Sequence, residues 1–71
     1  MKLDFTAVVF NDGEWYVGWC PEIKGANGQG KTRKDCLADL AASVETMLDY
    51  YRAEALKEAP PNAEHTVLTL A

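Results

Sequence analysis

Seventy-one residues with a formal charge of −4 and a pI near 4.7 make one thin-cored domain, and an acidic surface of this kind disfavours direct binding to phosphate backbones. A hydrophobic share of 48% beside 25% charged residues belongs to a globular chain rather than a disordered one, and no apolar run nears the ~20 residues of a membrane span. The opening Met1-Lys2-Leu3-Asp4 lacks an apolar signal core, so a cytoplasmic location is expected, and the acidity suits a basic protein partner.

Lys2 to Phe10 is rich in β-branched and aromatic residues and predicts a strand with Leu3, Phe5, Ala7 and Val9 on one face. Asn11-Asp12-Gly13 is a turn signal, because Asp-Gly supplies positive φ cheaply. Glu14 to Cys20 then reads as the returning hairpin strand, with Trp15, Val17 and Trp19 alternating against Tyr16, Gly18 and Cys20. Pro21 removes an amide donor and ends it. A short third strand is expected around Ala26 to Gln29. Thr32 and Asp35 have the spacing of a helix-capping pair. From there Leu37, Leu40, Ala41, Val44, Leu48, Tyr51 and Ala55 recur at three- and four-residue steps, an apolar stripe suited to covering a sheet. Pro60-Pro61-Asn62 closes the helical region, and Thr66 to Leu70 alternates as a last strand would. The expected fold class is α+β in the order β-β-β-α-β: a small, mostly antiparallel sheet with one long helix on one face, all within a single domain spanning residues 1–71.

Gly25-Ala26-Asn27-Gly28-Gln29-Gly30-Lys31-Thr32 matches the G-x-x-x-x-G-K-T phosphate loop letter for letter and runs into a helix. Its surroundings argue against that chemistry. A phosphate loop follows a buried parallel strand and works with a second acid at the end of another strand, and a chain of this length supplies neither. A glycine-rich turn feeding a capped helix accounts for the same letters. No nucleotide cofactor is therefore expected. No metal is expected either, since Cys20, Cys36 and the single His65 fall short of a four-ligand zinc site. The two cysteines read as small buried hydrophobes. Ser43, the one serine, falls in the helix beside the apolar stripe, far in sequence from His65, and the acids do not converge. The chain is expected to be non-catalytic.

Trp15, Tyr16 and Trp19 form the best candidate binding feature, because tryptophan and tyrosine bury large areas with few rotatable bonds. The favoured expectation is that Trp15 and Trp19 lie under the helix, which leaves Tyr16 on the exposed face.

Taken together, the hairpin with Gly13 and Trp15-Tyr16-Val17, then Cys20-Pro21-Glu22-Ile23-Lys24-Gly25, then Gln29-Gly30-Lys31-Thr32 ahead of an amphipathic helix, resembles the HicB-like antitoxin domain over essentially the whole chain. The resemblance implies a partial RNase H-like fold without the nuclease carboxylates. It also implies a partner, a small basic ribonuclease of the HicA type that cleaves messenger RNA, whose neutralisation would be this chain's role in a toxin-antitoxin system. Many HicB proteins carry a C-terminal DNA-binding module. The sequence ends after its last expected strand, so direct DNA binding is not expected. The residues assigned to partner binding are Asp12, Glu14 and Glu22 as rim acids and Tyr16 as the aromatic anchor. A homodimer or tetramer is expected from the unpaired strand edges of so small a sheet. The alternatives are an orphan oligomeric binding domain without a cognate toxin and a small nucleotide-binding protein using the Gly25–Thr32 loop.

Overall fold

A computed structural model describes residues 4–69. Three strands, β1 (Val8–Asn11), β2 (Tyr16–Trp19) and β3 (Asn27–Gly30), form an antiparallel sheet in the order β1-β2-β3, and one helix, α1 (Arg33–Glu58), follows. The expected α+β class stands, with element order β-β-β-α.

The β1–β2 hairpin closes through side chains that mimic backbone. The Gly13 amide donates to Asn11 Oδ1 at 2.7 Å, and the Glu14 and Trp15 amides donate to Asp12 Oδ1 at 3.0 and 2.9 Å. Gly13 takes a φ of +110°, which favours glycine on steric grounds. At the other end, β1 begins at Val8 rather than near Lys2. Val8 pairs with Trp19, so further pairing would run residues 4–7 past Pro21, where the partner strand has ended. Lys2 and Leu3 lie outside the described residues.

Thr32 caps α1 as its spacing predicts: its backbone is extended (φ −123°, ψ 162°) and its hydroxyl accepts from the Asp35 amide at 3.1 Å. The helix stops where Pro60 pushes Ala59 out of the helical region, to ψ 140°.

The core is Cys20, Ile23, Ala26, Leu40 and Val44, with Met47 and Leu48 against it. The sheet therefore covers the Cys36–Leu40–Val44–Met47 line of the helix, and Ala41, Tyr51 and Ala55 of the expected stripe stay exposed. The fourth strand is a correction. Thr66–Thr69 form no strand, and Leu70 lies outside the described residues. Val67 and Leu68 are both more than four-fifths exposed, so among the described residues no neighbouring strand edge holds the segment.

Candidate functional site

The two faces of the sheet are assigned by its glycines. Gly18 pairs with Val9 on one side and Gly28 on the other, and this row faces the helix. A Cβ on Gly28 would lie 2.5 Å from the Leu40 amide nitrogen, one on Gly30 2.6 Å from Asp35 Cβ, and one on Gly18 3.3 Å from Cys36 Sγ. Glycine on this face lets the helix approach closely. Because strand side chains alternate, Tyr16 and Cys20 share the helix side with Gly18, while Trp15, Val17 and Trp19 point the other way.

The tryptophans are thus a second correction: they do not pack under the helix. Trp19 is 42% exposed and meets Phe10, 51% exposed, edge to face at a centroid separation of 6.1 Å. Val8 and Val17, both half-buried, complete an aromatic and aliphatic surface on the uncovered face. Trp15 is half-buried at its corner, where the Lys31 ammonium sits 4.0 Å from the ring centroid, a cation–π contact. Tyr16 is half-buried on the helix side rather than being the exposed aromatic.

The assigned acids divide between the two ends of β2. Asp12 and Glu14 stand at the hairpin turn beside Tyr16, whereas Glu22 lies past the far end of the strand, beyond Trp19. Glu22 is a clamp. Its carboxylate accepts from the Thr6 hydroxyl, from the Thr6 amide at 2.9 Å and from Cys20 Sγ at 3.2 Å. The Thr6 hydroxyl and amide, then the Cys20 thiol, pull its pKa from 4.5 down to about 2. Asp12 is also held below its ordinary value, by the Trp15 and Glu14 amides it caps.

The Glu22 clamp carries a pH signature. A carboxyl depressed in the folded state stabilises fully above its unfolded value and loses that contribution as pH falls through the folded value. The tie to residues 4–7 is therefore intact above pH ~4.5 and released on approach to pH ~2. The amide shift of Thr6, followed by NMR, is expected to titrate near the lower value and to show no such step in Glu22→Gln. A midpoint at the ordinary glutamate value would contradict the clamp.

The phosphate-loop letters have other duties. Asn27 to Gly30 are strand β3, not a loop. The Asn27 amide donates to Ser43 Oγ at 3.1 Å and the Gln29 amide to Asp39 Oδ2 at 2.9 Å. A carboxylate thus occupies the position where a phosphate would need free amides, and Lys31 is stacked on Trp15. Ser43 and Asp39 were not legible as edge caps from the helical pattern, which places Asp39 simply on the polar face.

Cys20 and Cys36 are both buried and free, with their thiols directed at different acceptors, Glu22 and the Gly28 carbonyl. Among the described residues, no three His, Cys, Asp or Glu side chains gather as a metal-holding group, and no helix is long and apolar enough to cross a membrane.

The chain is 33% identical over 72 aligned positions to the UPF0150 protein ssl0738 of Synechocystis sp. (strain ATCC 27184 / PCC 6803 / Kazusa), an alignment covering 96% of this chain and 97% of that protein. The chain belongs to the UPF0150 family. No family model matches it, and no solved structure does. In this UPF0150 chain the sheet face away from the helix is left uncovered among the described residues, with the acidic hairpin turn at its rim. Phe10 is the member that sequence reasoning missed. The signal available for it was the row of small residues at Gly18, Gly28 and Gly30, which marks the helix side and so leaves Phe10 on the other.

Proposed function

We propose that this chain is a non-catalytic binding module of the HicB antitoxin type, which neutralises a small basic ribonuclease of the HicA type. The observation that carries the reading is the uncovered sheet face. Phe10, Val17 and Trp19 form an apolar surface with Asp12 and Glu14 at its edge. Aromatic anchors ringed by charge complementary to the partner are how protein interfaces gain affinity and encounter rate. The motif order from the Gly13 hairpin through Gln29-Gly30-Lys31-Thr32 supports the same assignment, as does the net charge of −4. In this reading, inhibition is masking of the partner rather than chemistry.

The test is an RNA-cleavage assay with a purified small basic ribonuclease of the HicA type. Stoichiometric addition of the chain is expected to stop cleavage, and the chain alone is expected to leave RNA intact. Cleavage that continues at excess chain would sink the proposal, as would RNA cutting by the chain itself.

A further inference from the structure

We infer that the groove between the lead-in to β1 and the helix receives a short extended segment of the basic protein partner, apolar along its length and cationic at one end, a placement that rests on the proposed function. The groove measures about 370 Å³. Leu37, Ala41, Val44 and Leu48 of the helix floor it, and Phe5 and Ala7 stand on its far side. The helix rises roughly 16 Å from Leu37 to Leu48 at ~1.5 Å per residue, a length matched by about five residues of extended chain. The far wall is already in place. The Thr6 amide donates to the Glu22 carboxylate at 2.9 Å and ties residues 4–7 down, although they belong to no strand. A groove formed before the partner arrives lowers the free energy lost to ordering on binding.

One end of the groove is acidic. A Cβ on Gly30 would meet Asp35, one on Gly28 would meet Leu40 and one on Gly25 would meet Met47, so β3 runs opposite to the helix. With both strand pairs antiparallel, β2 runs with the helix and β1 against it. Going back from Ala7 to Asp4 therefore leads toward Leu48 and sets the Asp4 carboxylate at the end where Glu45 stands. Among the described residues, no lysine or arginine lines the groove, and the ion pairs Arg52–Asp49 and Lys57–Glu54 involve neither acid. Two carboxylates at one end of an apolar channel favour a lysine or arginine there and repel an acidic segment.

The groove is also continuous with the surface proposed for the partner. Ala7 lines it, and Val8, the next residue, belongs to the open face with Phe10 and Trp19. A protein seated on that face has only to reach around β1 to lay a segment in the groove. The contact adds what the aromatic face lacks, a preference for a fixed order of apolar and charged residues, which discriminates between partners.

The probe is a synthetic acetyl-Leu-Val-Leu-Lys-Lys amide, titrated into the full chain and followed by NMR. The methyl resonances of Leu37, Ala41, Val44 and Leu48 are expected to shift together, with weaker binding at high salt. The same peptide ending in two glutamates is expected to bind at least about tenfold more weakly, because it brings like charge to Asp4 and Glu45. Asp4→Asn combined with Glu45→Gln is expected to weaken the lysine peptide about fivefold, in keeping with two solvent-facing ion pairs. Ala41→Arg, at an exposed helix position, is expected to fill the groove and block the peptide. Shifts confined to Phe10, Val17 and Trp19 overturn the inference, as does equal binding of the two peptides. So do contacts of Val67 and Leu68 with the groove in the free chain, which would make its occupant the chain's own tail. The titration uses no toxin, so its failure strikes the groove alone, and failure of the cleavage assay strikes the masking reading alone.

Discussion

Gly28→Ala is expected to destabilise the fold by about 3 kcal/mol, the upper end of ordinary overpacking costs. The added methyl would sit 2.5 Å from the Leu40 nitrogen and 2.7 Å from its Cα, so it meets helix backbone rather than a side chain that can rotate away. Relief requires the whole helix to lift off β3, and Leu40 and Val44 would lose their contacts with Ala26 and Ile23 in the process. A domain of this size has roughly 0.05–0.15 kcal/mol of stability per residue, so a loss of about 3 kcal/mol removes at least roughly a quarter of the total. Gly18→Ala is the informative contrast. Its Cβ would find its neighbours at 3.1–3.3 Å, and two of them are the Cys36 and Val9 side chains. Urea denaturation is expected to show a much larger drop in midpoint for Gly28→Ala than for Gly18→Ala. Equal midpoints would mean that the helix is not seated on the glycine row.

That glycine row also explains what the sequence could and could not reveal. Local signals were legible because they act over a few residues. Asp12-Gly13 fixed the hairpin, Pro21 the end of β2, Thr32 the start of α1 and Pro60 its end. The side of the sheet on which the helix lies is a tertiary fact. Bulk alone suggests that the larger side chains, Trp15 and Trp19, should be the buried ones. The close approach demanded by Gly28 and Gly30 reverses that, since a helix seated on glycine backbone has no room for indole beneath it. The misplacement of Tyr16 follows from the same reversal. The expected strand at Thr66 to Leu70 failed for a different reason. Alternation describes what a strand would look like if a partner edge held it, and none holds Thr66–Thr69 here. Capping of the β3 edge by Ser43 and Asp39 was invisible because both sit on a helix whose rotation the apolar stripe gives only approximately: the sheet covers Cys36 and Met47, which the stripe omitted, and leaves Ala41 bare.

Trp19→Ala is expected to weaken binding of a HicA-type toxin by about thirtyfold or more, the ~2 kcal/mol typical of truncating an interface anchor. Trp19 qualifies because it stands on the uncovered face, meets Phe10 edge to face and lies outside the core cluster under the helix. Its removal should therefore appear in the dissociation rate and barely in the urea midpoint. Tyr16→Ala cannot separate the two effects, since Tyr16 is half-buried on the helix side and its truncation perturbs packing. Asp12 is equally unsuited as a charge probe, because its carboxylate holds the Glu14 and Trp15 amides and a reversal there would open the hairpin. Glu22 is engaged with Thr6 at the opposite end of β2. Of the rim acids, Glu14 is the one whose side chain the hairpin does not use as a cap. Glu14→Lys is accordingly expected to slow association, more strongly at low ionic strength, with little change in dissociation. Surface plasmon resonance at two salt concentrations distinguishes these outcomes. Should Trp19→Ala bind as the unaltered chain does while Tyr16→Phe does not, the toxin would dock on the helix side, and the uncovered face would need another occupant.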